Sequence, residues 1–256
     1  MSVFYDGLKA LKTVRSLHSY ILDRLGLLKN HQVKYTLWEG TKYVFRSNKF
    51  NHLMFNEIHI HGVYTLKNFQ IHKNWTIIDI GAHVGFYSIY AAKKANFGKV
   101  YAFEPVTDNC KQLVNNIEIN ALKNIVVINK AVTQKTGYKK IFIHSYHPGM
   151  HSFYPVYFDK KEKNLVKVAT ISLNDIIKNF NLKKINILKM DCEGSEYEII
   201  FSSPTKIFKI IDRIALEFHP LDSKRNEYVL REFLKRRGYH VELNYAPIPV
   251  LYAWKK

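Results

Sequence analysis

The stretch TIIDIGAHVGFYSIYAAKKA, residues 76–95, constrains the fold more than any other. Ile77, Ile78 and Ile80 form a β-branched apolar run, and from Val84 to Ala92 the apolar residues recur at helical spacing. A strand therefore passes into a helix across Gly81 and Gly85, whose missing side chains permit a sharp turn and a close approach of loop N–H groups to a ligand. The pattern repeats: KVYAFEP (99–105) reads as a strand, Asp108 to Asn120 as a helix and NIVVINKAV (124–132) as a third strand. Such alternation implies a parallel sheet with right-handed crossovers and a ligand crevice at the strands' carboxyl ends. Further strands are expected at 185–191, 211–219, 239–243 and 249–254, and helices at 194–201 and 224–237. The interval 133–184 is longer than a crossover requires. Within it YKKIFIH and VYF suggest extra strands, HPGMHSF a loop over a substrate site, and SLNDIIKNF a helix capped by Ser172 or Asn174.

A chain of 256 residues, 47% apolar, buries one good-sized core. We expect one main domain at 71–256, preceded by a cap at 1–70. In the cap, Phe4, Leu8, Leu11, Leu17, Ile21, Leu25 and Leu28 recur at helical spacing, interrupted by Lys9, Lys12, Arg15 and Arg24. That composition supports neither a signal peptide nor a membrane span. It suits an amphipathic helix that packs on its own core, on a second subunit or on a membrane surface. Residues 33–46 read as a hairpin turning at Glu39-Gly40. Lys and Arg outnumber Asp and Glu 39 to 21, a formal charge of +18, which admits nucleic acid, anionic membrane or an anionic substrate as partner; it equally suits Lys-rich usage throughout, since no stretch is a dedicated basic tail. Cys110 and Cys192 are too few for a disulfide framework, which suits a reducing, cytoplasmic compartment.

The acids narrow the ligand. Asp79 stands two residues before Gly81, and Glu104 ends the second strand near the spacing at which an acid reaches a nucleotide ribose. A nicotinamide enzyme uses the same acid, but its G-x-G-x-x-G turn is G-x-x-x-G here, with His83 where the pyrophosphate needs a glycine. An anion beside the turn would repel a pyrophosphate and attract the ammonium of an amino-acid moiety.

IIDIGAHVGFYSIYAA, VYAFEPVTDNCKQLVNNIEINALKNIVVINKAV, TISLNDII, ILKMDCEGSEYEII and LEFHP, in this order over about residues 57–220, together resemble the FkbM-type methyltransferases. These are a branch of the class I S-adenosylmethionine-dependent enzymes. The resemblance implies an α/β, Rossmann-like three-layer sandwich, with a seven-stranded, mostly parallel sheet whose last strand is antiparallel. Residues 71–256 would then be the methyltransferase domain, and the activity O-methylation, frequently of sugars. Carried over by position, it implies that Asp79, Gly81, Ala82, His83 and Gly85 hold the methionine part of the cofactor. Glu104 would hold the ribose with Pro105 and Asn109 beside it, and Ala131 and Val132 would flank the adenine. Where the family usually has Asn, this chain has His83, which leaves the backbone contact in place and changes the side chain. Asn109 reads equally as a capping or solvated residue.

Transfer of a methyl group to an alcohol needs a base, or a metal that lowers the hydroxyl's pKa. Asp191 and Glu193 follow one strand, Glu217 and His219 the next, so adjacent strand ends bring all four together. Either Glu193 or His219 is the expected base. Asp191 is a cofactor contact or, with Glu193, Glu217 and His219, part of a site for a divalent cation such as Mg²⁺; the resemblance to related sugar methyltransferases suggests that set. Glu217 is alternatively a structural partner of Lys189. His144, His147 and His151 lack zinc-ligand spacing, Cys192 is no nucleophile if the strand continues, and His151 and Ser152 lie in the loop over the site. Glu57 and Tyr64 match positions that the family often fills. The expected function is methylation of a carbohydrate hydroxyl. An RNA methyltransferase is the rival, motivated by charge and aromatic content, and a non-catalytic cofactor-binding protein is a third class.

Overall fold

The computed structural model describes residues 3–143, 151–154 and 164–255. Helices α1 (Val3–Thr13) and α2 (Leu17–Arg24) lead into the antiparallel hairpin β1 (Gln32–Thr36) and β2 (Lys42–Arg46), followed by α3 (Lys49–His59). The alternating part starts with β3 (Thr76–Ile80), α4 (Phe86–Lys94), β4 (Lys99–Phe103), α5 (Thr107–Ile119) and β5 (Ile125–Ile128). Then come β6 (Ala131–Thr133), β7 (Gly137–Phe142), β8 (Leu165–Ser172), α6 (Leu173–Asn179), β9 (Ile187–Met190), α7 (Glu196–Ser202) and α8 (Thr205–Ile210). β10 (Arg213–Glu217), α9 (Glu227–Lys235), β11 (His240–Asn244) and β12 (Val250–Trp254) end the chain.

Seven strands form one sheet in the order β11-β12-β10-β9-β3-β4-β5. β5, β4, β3, β9 and β10 run parallel, and β12 is antiparallel to both its neighbours. The period-two alternation of strand side chains splits the core into two layers. Ile77, Val100, Ala102, Ile187, Ala215 and Tyr252 face one way, toward α4, α5 and the N-terminal elements. Ile78, Ile80, Phe103, Leu188, Met190, Ile214 and Leu216 face the other, toward residues of α6 to α9. The result is the expected three-layer α/β sandwich. The chain winds outward from β3 to β5, then returns to lay β9 on β3's other side, so the crevice at this reversal opens beyond the carboxyl ends of β3 and β9.

Several elements differ from the sequence reading for local reasons. Residues 124–132 are two strands in two sheets: β5 ends at Ile128, and β6 pairs with β8, which pairs antiparallel with β7. Asn129 enforces the break by donating to the carbonyls of Glu104 and Pro105, at 2.8 and 3.1 Å. The N-terminal helical stretch breaks at 14–16, where Val14 bridges to Leu37 and Ser16 Oγ accepts from the Thr36 N–H. Helices α3 and α8 and strand β8 are additions. Ser172 caps α6, accepting from the Asp175 N–H at 3.1 Å. The VYF segment, His144 and His147 lie outside the described residues.

Candidate active site

At the turn after β3, Gly81 has φ +77°, and a Cβ built there would lie 1.7 Å from the Asp191 carbonyl oxygen. Glycine is required because the backbone just past the parallel strands β3 and β9 is in contact. Gly85 has a different reason: its Cβ would meet Leu113 Cδ1 on α5 at 2.4 Å, and its φ is +94°. The loop's N–H groups are engaged within the fold. Gly81 and Ala82 both donate to the Phe103 carbonyl at 3.0 Å, and His83 donates to Glu104 Oε2 at 2.8 Å. Sequence alone suggests that these N–H groups turn toward a ligand; β4 takes them instead. His83 itself has φ +51°, a region where Asn and His are among the tolerated side chains, and its buried ring meets Phe50 edge-on.

Asp79 is fully buried. Register places it opposite Lys189 on β9, whose Nζ lies 3.2 Å from Asp79 Oδ1, and Ser88 Oγ donates to Oδ2 at 2.5 Å. Lys189, 2% exposed, also donates to the Gly81 carbonyl and lies 3.7 Å from Asp191. Burial pulls its pKa down, but Asp79 and Asp191 hold it above the ordinary lysine value. Lys189 thus takes Asp79 as its buried partner, as a charge in a dry interior must find one. Asp79 lines neither of the two cavities at this crevice.

The larger cavity, open to solvent, spans about 900 Å³ of space including its mouth. One end is walled by Gly81, His83, Glu104, Pro105, Asn109, Ala131 and Val132, the other by Glu57, Asp191, Glu193 and Glu217, with Phe50, Leu53 and Met54 of α3 across the top. Glu104 accepts from the N–H groups of His83 and Val106, at 2.8 and 2.9 Å, and from Asn109 Nδ2 at 3.5 Å, leaving one of its four lone-pair sites. Burial raises its pKa to about 7 despite those hydrogen bonds.

The acidic end is organised around His219. Its Nδ1 pairs with Glu196 at 3.1 Å, and its Nε2 lies 3.5 Å from Glu193 and 3.6 Å from Glu217. Burial works against charge on this imidazole, but Glu196 outweighs it and holds the pKa well above the ordinary value. Glu196, fully buried, is held below the usual carboxylate range because His219 and the Cys192 N–H offset its burial. Glu193 sits at φ +51° and is pushed up to about 7, first by burial, then by Asp191 and Glu196 against His219. Burial and Asp191 raise Glu217 well above 4.5, and burial and Asp191 raise Glu57 to about 8. With one imidazolium among these carboxyls, protons must remain on some of them.

A smaller pocket adjoins, lined by Glu57, Tyr64, Gly81, Ala82, Tyr87, Lys189 and Asp191 among others. The Tyr64 and Tyr87 hydroxyls are buried with no hydrogen-bond partner among the described residues. An unmet buried hydroxyl costs about 1–3 kcal/mol, so a polar group placed beside these two would be stabilised in this pocket. It offers a cation and two hydroxyl donors to a carboxylate, and carboxyls to an ammonium. The chemistry fits the zwitterionic end of S-adenosylmethionine.

The model of the methyltransferase FkbM domain matches residues 79–241. The chain belongs to the FkbM methyltransferase family. Among curated relatives, Methyltransferase 1 of Beauveria bassiana is 22% identical over 181 residues, covering 64% of this chain and 72% of that protein. Hexuronic acid methyltransferase AglP of Haloferax volcanii is 23% identical over 141 residues, 55% and 54% of the two chains. The 31-O-demethyl-FK506 methyltransferase FkbM of Streptomyces tacrolimicus is 21% identical over 224 residues, 76% and 84%. Solved structures that match include a precorrin-6y C5,15-methyltransferase from Geobacter metallireducens, 17% identical, TM-score 0.46, covering 76% of this chain and 87% of that one. As a family member the chain is an S-adenosylmethionine-dependent methyltransferase.

Within this FkbM-family site, Glu104, Pro105, Asn109, Ala131, Val132, Gly81 and His83 gather on one cavity with Asp191, Glu193 and Glu217. Ala82 lines the adjoining pocket, His219 stands behind Glu193 and Glu217, and Asp79 and Gly85 pack inside the fold. His151 lines the large cavity, while Ser152 Oγ donates to the Glu193 carbonyl at 2.5 Å. Sequence periodicity does not single out Glu196, Lys189, Tyr87 or the α3 wall. Lys189 carries a signal all the same, since a lysine inside the apolar run INILKMD needs a buried acid.

Proposed function

We propose that this enzyme methylates a carbohydrate hydroxyl, with Glu193 as the base. The observation that carries the reading is the array in which Glu196 orients His219 and His219 faces Glu193 and Glu217 at the cavity wall. An alcohol must lose its proton as the new C–O bond forms, and a carboxylate poised near 7 suits that task. His219, held protonated by three acids, is the orienting cation rather than the acceptor of that proton. S-adenosylmethionine supplies a sulfonium-bound methyl group and leaves as the neutral thioether. Glu104 would accept from a ribose hydroxyl beside Pro105 and Asn109, and Ala131 and Val132 would enclose the adenine. Lys189, Tyr64 and Tyr87 would hold the carboxylate, with Asp191 or Glu57 on the ammonium. Asp79 would act through Lys189, and Gly81, Ala82, His83 and Gly85 would shape the turn. The AglP relative, by its name a hexuronic acid methyltransferase, favours a sugar acceptor.

A divalent cation is the second reading, because Asp191, Glu217 and His219 each present one ligand atom within 4.8 Å of the others. Two carboxylates and an imidazole suit Mn²⁺ or Zn²⁺ better than Mg²⁺, and a ligating histidine is commonly oriented by a carboxylate as Glu196 orients His219. Labelled S-adenosylmethionine incubated with glycans, sugar nucleotides, glycolipids and RNAs tests the acceptor. Label on RNA alone would refute the carbohydrate reading. Turnover that is unchanged after chelation would refute the cation.

A further inference from the structure

The faces of α1 and α2 that point away from the sheet carry apolar side chains with no cover. Leu8, Leu11, Leu17 and Ile21 line a groove between the two helices, bordered by Arg24. Just past α2, Leu25 and Leu27 are 66% and 65% exposed, and Trp38, whose Nε1 donates to the Leu11 carbonyl, is 62% exposed. Ala10 and Tyr20, which also line this groove, and Val14 just past α1 are buried in the core.

Charge decides what covers the outer face. Residues 1–31 hold Lys9, Lys12, Arg15, Arg24 and Lys29 against two acids, Asp6 and Asp23. Both acids are engaged inside the protein: Asp6 lies 3.8 Å from His61, and buried Asp23 accepts from Tyr35 and Ser47. The charge presented outward is therefore cationic. A second copy of the chain, itself +18, would set these cations against their own kind in an isologous contact. A surface that is apolar just below a layer of negative charge complements both features, and a Trp beside the patch suits such an interface. No helix among the described residues is long and apolar enough to cross a membrane, so the contact is with one leaflet.

We propose that the α1–α2 face docks on an anionic lipid bilayer. The inference goes beyond the methylation reading and stands whichever acceptor the enzyme uses. The test is cosedimentation of the full chain with vesicles of phosphatidylglycerol and phosphatidylcholine in about equal parts, and with pure phosphatidylcholine. The anionic vesicles are expected to bind the protein, and raising salt from about 0.1 M to about 0.5 M to release it. Lys12→Glu/Arg15→Glu should weaken partitioning by at least roughly tenfold, and Leu25→Gln/Leu27→Gln should weaken it with the charge of the patch unchanged. Lys206→Glu/Lys209→Glu, on α8 across the sheet, should bind within about twofold of the parent. Binding of S-adenosylmethionine checks that each variant is folded. No binding to anionic vesicles, equal binding to pure phosphatidylcholine, or an equal loss in the α8 variant would overturn the proposal. So would a dimer in solution that Leu25→Gln/Leu27→Gln dissolves, because a second copy would then be the cover.

Discussion

At the scale of single residues, the site turns on how three carboxyls share one imidazole. Glu193 has a folded pKa of about 7, raised by burial, so the fraction in the basic form grows as pH rises through neutrality. Turnover under saturating donor should therefore climb from pH 6 and level off above about 8. Glu193→Gln should leave donor binding by calorimetry intact and lower kcat by about 10²–10⁴-fold, abolishing that rise. A variant as fast as the parent would remove Glu193 as base. Glu196 tests the support beneath it. Its folded pKa is lowered, so its stabilising contribution is complete above about 4.5, the unfolded value, and disappears as pH falls through the depressed folded value. Glu196→Gln should destabilise the fold by about 3–5 kcal/mol at pH 7 by removing the nearest of the three acids that pair with buried His219. In urea titrations the gap between parent and variant should narrow steadily below pH 4.5.

At the scale of elements, the turn after β3 shows what sequence can and cannot disclose. The strand, the glycines and the helix are legible because period-two and period-3.6 patterns are local. The partners of the turn are not: the N–H groups of Gly81 and Ala82 go to Phe103, and Asp79 goes to Lys189, more than a hundred residues away in sequence but adjacent in register. Pairing across a parallel sheet is set by crossovers that no local pattern encodes. Likewise β6 leaves the main sheet because the Asn129 side chain bonds two carbonyls, an event that β-propensity along NIVVINKAV does not register. Glu193, Glu217 and His219 are readable as neighbours, since they lie at the ends of adjacent strands; Glu196, the first residue of the next helix, depends on how α7 docks. The two glycines separate under substitution. Gly81→Ala drives a Cβ into the Asp191 backbone at 1.7 Å, which nothing flexible relieves, and should abolish folding or donor binding. Gly85→Ala meets the end of the Leu113 side chain, which can rotate, and should cost the left-handed backbone penalty of about 1–2 kcal/mol plus a repacking cost. Thermal melts of both variants, with and without S-adenosylmethionine, check the order.

At the scale of the whole molecule, the N-terminal elements and the sheet share one apolar cluster. Phe55 of α3 is fully buried and meets Tyr35, Tyr43 and Phe86, rings from the hairpin and from α4, at centroid distances of 4.8, 5.9 and 5.8 Å. Asn116 of α5 and Asn120, just past its end, bond the backbone of β2. α3 also supplies Phe50, Leu53, Met54 and Glu57 to the large cavity, so removing residues 1–70 would strip apolar cover and one cavity wall together. A chain of this length often unfolds through intermediates, but elements that cannot bury their faces apart have no stable partial state to occupy. Trp38 reports on the hairpin, whereas Trp75 and Trp254 report on the sheet. A variant that keeps only Trp38 and one that keeps only Trp75 and Trp254 should share a single urea midpoint by fluorescence. Phe55→Ala should move both midpoints down together by the equivalent of about 3–5 kcal/mol and weaken donor binding. Two separated midpoints, with the hairpin melting first and the sheet still able to bind S-adenosylmethionine, would mean that the cap is an independent unit and the wall it lends to the cavity is dispensable.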